Sequence, residues 1–307
     1  MVETSPHRNG NPSGSDLSII LPALNEEEGL RTTLPVIQEL YPEAEIIVVD
    51  DGSRDRTREV ALKSGATVVS HPYRKGNGAA VKTGIRAATR KIVVLMDADG
   101  QHDPAEIRNL LDALDCYDLV VGARTRDKSS PFHRRLANSV YNRFATYLTQ
   151  IPISDLTSGF RALPRRLALK FCYLFPNTYS YPSTLTLSLV RAGYSVKYVP
   201  INLRKRLGKS KINLLRDGIR FLLVMIKVIM LFAPLRVFLP VSLICFLSGM
   251  IYGGYMIGVT HHFSPATLFL LIASLLTFLM GLISEQIAQL RLIWIDRDPQ
   301  DEDDLAP

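Results

Sequence analysis

Cysteine is scarce in this 307-residue chain, and its three cysteines, Cys116, Cys172 and Cys245, stand far apart. With neither CxxC nor Cys/His spacing, a disulfide framework and a zinc site are not expected, and the setting reads as a reducing, cytoplasmic face. Residues 1–15 are rich in Ser, Pro, Gly and Asn and have no apolar run, so they read as a disordered tail and not a signal peptide. The basic clusters, Arg124 to Arg143 and Arg204 to Arg220, lack the interleaved aromatics of a base-stacking surface, so nucleic acid is not an expected partner. Phosphorylated small molecules or anionic lipid headgroups suit them better. RKGNGAAVKTG has GxG but no GxGxxG and follows the third apolar run, which excludes a dinucleotide fingerprint. GKS at 208–210 lacks the leading glycine of a P-loop, since position 203 is Leu203.

What the chain does contain is alternation. LSIIL at 17–21, EIIVVD at 45–50, TVVS at 67–70, KIVVLMD at 91–97 and DLVVG at 118–122 are short apolar runs, the first four followed by helix-like stretches. The runs predict strands. Continuous β-branched runs alternating with helices predict an α/β, mostly parallel sheet covered on both faces, with order beginning near Asp16. In such a sheet the ligand lies beyond the carboxyl ends of the strands. Three polar motifs fall at strand ends: PALNEEEG after the first, DDGSRDRT after the second and DADGQ after the fourth.

DADGQ is the most informative of the three. Asp97 and Asp99, at i and i+2 just past a strand, can both lean into a cleft, and with Gln101 they offer the hard oxygen ligands that suit Mg²⁺ or Mn²⁺. Such an ion would hold a diphosphate. Asp103 before Pro104 is a good helix start, and helix capping is the competing reading of the whole motif. Asp50 and Asp51 close the second strand, where an acidic residue binds ribose hydroxyls or a base edge, or caps the next helix. Glu26 can reach the same nucleoside, although the EEE run also suits a helix N-terminus.

Taken in order, PALNEEEG, VVDDGSRDRT, RKGNGAAVKTG, MDADGQHDP, VVGART, DLTSGFRALP and RLGKSK resemble the family-two glycosyltransferases of GT-A fold, over roughly residues 17–213. Within that family the set is most similar to the polyprenyl-phosphate glycosyltransferases, such as dolichol-phosphate mannose synthase. The resemblance implies that Pro22, Leu24, Glu26, Asp50 and Asp51 bind the nucleoside, and that Asp97, Asp99 and Gln101 hold the metal and diphosphate. It also implies that Arg124, Arg206, Ser210 and Lys211 contact donor or acceptor phosphates, which makes Asp97, Asp99, Arg124, Arg206 and Lys211 the expected catalytic set. Two positions depart from the pattern: Leu24 stands where many relatives carry Tyr, and Arg56 where a Gly is common.

The implied reaction is an inverting transfer of one sugar from a UDP- or GDP-linked donor to undecaprenyl or dolichyl phosphate. A metal ion with Arg or Lys neutralises the leaving diphosphate without proton transfer. A phosphate monoester acceptor, with a second pKa of about 6, is largely dianionic at neutral pH and needs no strong general base. In agreement, NTYSYPSTLTLSLVRAG at 177–193 has no carboxylate, Asp155 being the nearest alternative, and there is no QxxRW motif. A processive polysaccharide synthase is therefore disfavoured. A non-catalytic scaffold that senses nucleotide sugars is the competing class, and the intact DADGQ, DDGS and RLGKSK argue against it.

The last third carries the apolar residues. The domain expectation is a catalytic domain over 16–210, an amphipathic interfacial segment over 211–236, a transmembrane hairpin over 237–284 and an acidic tail over 285–307. Lys211, Arg216, Arg220 and Lys227 recur among Leu, Ile, Val, Met and Phe, as in a helix lying in a membrane interface. Val237 to Val259 has no charge and, at 1.5 Å per residue, extends about 34 Å, enough to cross a hydrocarbon core of roughly 30 Å. A second uncharged run spans Phe263 to Ser284. Arg236 and Arg291 flank the open ends while THHFSP between the runs has no Lys or Arg, so the catalytic domain and the tail are expected in the cytoplasm. A two-helix anchor of this kind can also pack with copies of itself as a homo-oligomer.

Overall fold

The computed structural model describes residues 14–124, 139, 142, 143, 146, 151–177, 181–204, 230, 232–262 and 264–296. They fall into two units, Met1–Asn213 and Leu214–Pro307.

The first unit is built on a sheet of strands β1 (Leu17–Ala23), β2 (Glu45–Asp50), β3 (Thr67–Ser70), β4 (Ile92–Leu95), β5 (Leu119–Arg124), β6 (Arg161–Pro164) and β7 (Val196–Ile201). Their order is β3-β2-β1-β4-β6-β5-β7. All pairings are parallel except those of β6, which runs antiparallel to both β4 and β5. Helices α1 (Glu27–Leu40), α2 (Thr57–Lys63), α3 (Asn77–Ala87) and α4 (Ile107–Leu114) follow the first four strands, and α5 (Arg165–Cys172) and α6 (Tyr181–Arg191) follow β6.

Each strand of the β2-β1-β4 centre is apolar because both its faces are covered. Every residue of β1 is buried, with Leu17, Ile19 and Leu21 joining Leu30, Leu34, Ile37, Ile107 and Leu110 in one core. On the opposite face α3 comes so close that a Cβ on Gly84 would lie 2.3 Å from Ile20 Cγ2. Full burial of an Ile here contributes about 1.5–3 kcal/mol. The edge strand β3 is partly exposed, which matches its shorter apolar run. Strands β6 and β7 were not anticipated: RALP is short, and VKYVPI is interrupted by Lys197 and Pro200, so neither shows a clean period.

The second unit contains helices α7 (Leu235–Thr260) and α8 (Pro265–Asp296), which pack against each other as a hairpin. Close approach falls at small residues: a Cβ on Gly253 would lie 2.6 Å from Thr267 Cγ2, and one on Gly281 2.6 Å from Phe238 Cβ. Ser274 Oγ donates to the Ser242 carbonyl at 2.9 Å, and the Leu235 N–H donates to Glu285 at 3.3 Å. The second helix continues past the uncharged run through Asp296, and Glu285, the first charge after that run, has a partner at the start of α7. Apolar spans long enough to cross a membrane cover Leu235–Val259 and Pro265–Leu290. The interfacial segment expected over 211–236 lies mostly outside the described residues, as does the tail beyond 296.

Candidate active site

β1 and β4 are hydrogen-bonded neighbours, yet the chain leaves β1 toward β2 and leaves β4 toward the other side of the sheet. The crevice beyond their carboxyl ends is the switch point of an open sheet, where ligands bind. The β1–β4 ladder ends at Ile20 and Leu95, followed by the Met96 N–H to the Ile20 carbonyl. Pro22 lies past that point, so its missing N–H interrupts no bond to β4. A cavity of about 360 Å³ opens here. β1 and its turn contribute Pro22, Ala23, Leu24 and Glu26; the position after β2 contributes Asp51; and the turn after β4 contributes Asp97, Ala98 and Asp99.

Two glycines show how tightly the motifs are fitted together. A Cβ on Gly29, in the first turn of α1, would lie 2.1 Å from the Ala98 carbonyl oxygen, so PALNEEEG packs directly on the backbone of DADGQ. A Cβ on Gly159, in the TSGF turn before β6, would lie 2.5 Å from Asp97 Oδ2 and 2.8 Å from Oδ1. Only glycine leaves the Asp97 carboxylate its place. Asp99 Oδ1 accepts from the Gln101 N–H at 3.1 Å. Asp103 caps the short helix that follows, accepting from the Ala105 N–H at 3.1 Å.

The nucleoside motifs are interlocked as well. Asn25 adopts a left-handed conformation (φ 56°), its N–H donating to Ser53 Oγ at 3.0 Å and its Oδ1 accepting from the Arg54 N–H at 2.8 Å. The Glu26 N–H donates to Thr57 Oγ1 at 3.0 Å. Arg56 has φ −86°, so the usual glycine is not required there, and its N–H donates to Glu27 Oε2 at 3.2 Å. Gly52 does need its freedom, with φ 78° and a Cβ position only 2.9 Å from the Arg74 nitrogen.

Asp50 and Asp51 part company. Asp50 is buried and accepts from the Ser53 N–H at 2.9 Å, a turn-capping contact, and it does not line the cavity. Asp51 lines the cavity and accepts from His71 Nδ1 and from the Lys75 and Gly76 N–H groups, each at 2.8 Å. The chain held by those amides brings Arg74 and Asn77, with Ala80, to the wall of the cavity. Sequence reasoning excluded RKGNGAAVKTG as a dinucleotide fingerprint and counted it among the family's motifs without giving its residues a role; the usable signal was two glycines opening a helix.

Arg124 does not line the cavity but ends β5 in a two-point ion pair with Asp155, Nε to Oδ2 at 2.7 Å and Nη2 to Oδ1 at 2.8 Å. Burial alone would raise the Asp155 pKa. The Arg124 hydrogen bond and charge, with the Arg124 and Thr157 N–H groups, outweigh it and hold the carboxyl below its ordinary range. His102 stacks on Phe160 with ring centroids 5.0 Å apart, and burial lowers its pKa to about 4, which keeps it neutral. Gln101 does not line the cavity either; its carbonyl accepts from the Arg204 N–H at 2.8 Å, while Arg204 Nη2 pairs with Asp103 Oδ2 at 2.6 Å. Arg204 thus ties the end of the β7 segment to the DADGQ turn. Arg206, Ser210 and Lys211, which follow it, lie outside the described residues.

A family model, Glycosyl transferase family 2, matches residues 18–171, and a second, the GtrB C-terminal hairpin, matches residues 233–290. The chain belongs to glycosyl transferase family 2. The transferase is 34% identical over 212 residues to a polyprenol monophosphomannose synthase of Mycolicibacterium smegmatis, covering 64% of this chain and 80% of that one. It is 32% identical over 206 residues to a dolichyl-phosphate hexose transferase of Haloferax volcanii, covering 66% and 89%. Among solved structures it resembles glucosyl-3-phosphoglycerate synthase from Mycobacterium tuberculosis in complex with Mn²⁺ and UDP-glucose. That likeness has a TM-score of 0.55 and 26% identity over 70% of this chain and 76% of that one. The transferase therefore has the Rossmann-like GT-A fold, followed by two apolar helices that could span a membrane.

Proposed function

We propose that the protein transfers a single sugar, with inversion, from a nucleoside diphosphate sugar to a polyprenyl phosphate at the cytoplasmic face of a membrane. The observation that carries this reading is one crevice, at the sheet's switch point, lined by Asp97 and Asp99 on one side and by Glu26 and Asp51 on the other. The membrane hairpin family and the relatives named for polyprenol, dolichyl phosphate and undecaprenyl phosphate supply the acceptor class.

The residues fit a divalent ion. Asp97 and Asp99 open on the same cavity, and Gly159 keeps space for the Asp97 carboxylate. Among the described residues no group of three or more His, Cys, Asp or Glu could hold a metal alone. Two carboxylates completed by diphosphate and water oxygens is the arrangement Mg²⁺ commonly takes, and the solved relative holds Mn²⁺ beside UDP-glucose. When bound, the ion supplies neutralisation of the leaving diphosphate. In this reading Gln101, which does not line the cavity, braces the Asp99 carboxylate through its N–H, while Pro22, Leu24, Glu26 and Asp51 hold the nucleoside, with Asp50 bracing the turn beneath. Arg124, Arg206, Ser210 and Lys211 meet the phosphates.

No residue has to remove a proton. Asp155, the carboxylate named as the alternative base, is paired at two points with Arg124 and held below its ordinary pKa, which makes it a poor base. A phosphate acceptor, already anionic, matches that lack. Its role is to fix Arg124.

Incubation of the purified protein with labelled UDP- and GDP-sugars, short polyprenyl phosphates and Mn²⁺ or Mg²⁺ tests the reading. The expected product is a lipid carrying one sugar, lost on chelation. A polymer, transfer to 3-phosphoglycerate in preference to lipid, or no transfer from any donor would overturn it.

A further inference from the structure

We infer that His71 and Thr83 are positioning residues for the nucleotide, holding the Asp51 carboxylate and, through it, the turn that carries Arg74 and Asn77. The inference rests on the nucleotide site proposed above and concerns two side chains that do not line the cavity.

Asp51 is 3% exposed and has three donors placed on it. His71 Nδ1 and the Lys75 N–H reach Oδ1, and the Gly76 N–H reaches Oδ2, all at 2.8 Å. An ionised carboxylate only accepts, so Nδ1 of His71 carries a proton and donates. The other ring nitrogen, Nε2, lies 2.9 Å from Thr83 Oγ1 on α3. Both ring nitrogens are thus engaged, which fixes the orientation of a side chain that is itself 7% exposed. The chain Asp51–His71–Thr83 stitches the ends of β2 and β3 to the helix that begins at Asn77.

The same turn is shaped by a glycine and by close backbone packing. Gly76 sits at φ 110°, and the turn backbone at Tyr73 and Arg74 lies against Gly52. A buried His–Asp–Thr chain is a costly way to join two strands, since apolar side chains of like volume would fill the space without desolvating a charge. What it provides that apolar packing does not is a carboxylate aimed at two consecutive amides, which sets where Arg74 and Asn77 meet the ligand. Because these groups act on the nucleotide and not on the reacting atoms, their loss should appear in donor affinity and not in the chemical step.

The test uses the full-length protein in detergent, with Kd for UDP and for GDP measured by calorimetry in Mn²⁺, and donor KM and kcat measured alongside. His71→Leu removes both contacts and is expected to weaken nucleotide binding and raise donor KM by about tenfold or more, with kcat within about threefold of wild type. His71→Asn, which keeps a donor toward Asp51, should recover most of that loss. Thr83→Val should weaken binding by about threefold. Wild-type Kd in His71→Leu, or a fall in kcat at unchanged KM, overturns the inference. Should His71→Leu fail to fold, Thr83→Val decides, and an unchanged Kd there overturns it. Wild-type protein that binds neither UDP nor GDP overturns the nucleotide-site reading itself, whereas normal wild-type binding with indifferent variants overturns this inference alone.

Discussion

The sheet of the catalytic domain and the C-terminal hairpin are built from similar apolar side chains placed in opposite surroundings. Ile19, Val48 and Val94 are wholly buried, while Ile251 on α7 and Phe269 on α8 are 74% and 71% exposed. Two helices so bare would be costly in water, and both are long and apolar enough that they could span a bilayer, which would remove that cost. The polar residues differ in the same way. At the strand ends they are numerous, cross-bonded and gathered round one cavity; in the hairpin a few, such as Ser242, Ser274 and Glu285, serve packing and capping. Chemistry and address are therefore separable, and substitutions in one region should leave the other's property intact.

The largest separation is expected from Asp99→Ala. Transfer should fall by about 10³-fold or more, since the leaving diphosphate loses its metal clamp, while flotation with liposomes stays at the wild-type level. Next comes a pair of identical substitutions. Gly159→Ala forces a Cβ against the Asp97 carboxylate and should lower kcat by about 100-fold, whereas Gly254→Ala, which meets nothing within 4 Å, should leave transfer and insertion unchanged. Leu275→Lys on the exposed face of α8 reverses the comparison: insertion loses about 2.5–3.5 kcal/mol at mid-bilayer, read as release on alkaline extraction, while nucleotide binding persists.

The smallest effect concerns pH. The folded pKa of Asp155 is depressed, so its contribution to stability is present above the unfolded value and is lost as pH falls through the folded one. The difference in melting temperature between wild type and Asp155→Asn should therefore stay constant from about pH 7 to 5 and close only below about pH 4.

Much of this was legible before any coordinates. The β-branched runs located β1 to β5, because strands buried on both faces must be apolar throughout, and two long uncharged runs marked the hairpin. Asp97, Asp99, Glu26 and Asp51 were recognisable from their place at strand ends and Pro22 and Leu24 from the family resemblance, and the structure brings all six to one cavity. Strands β6 and β7 were not legible, since their pairing depends on neighbours distant in sequence. Nor were Arg74, Asn77 and His71: a turn pinned by a carboxylate from another strand leaves no local period to detect. Gly29 and Gly159 stood inside recognised motifs, but their reason, the closeness of Ala98 and Asp97, is a tertiary fact.

Action of a carboxylate-lined, metal-assisted crevice on a lipid phosphate is tested most directly at the acceptor. The most direct measurement compares sugar transfer to a short polyprenyl phosphate with transfer to the matching polyprenol, at equal concentration in the same Mn²⁺-containing micelles. The account predicts a singly glycosylated product from the phosphate and none from the alcohol. Equal transfer to both, or transfer to the alcohol alone, would contradict it.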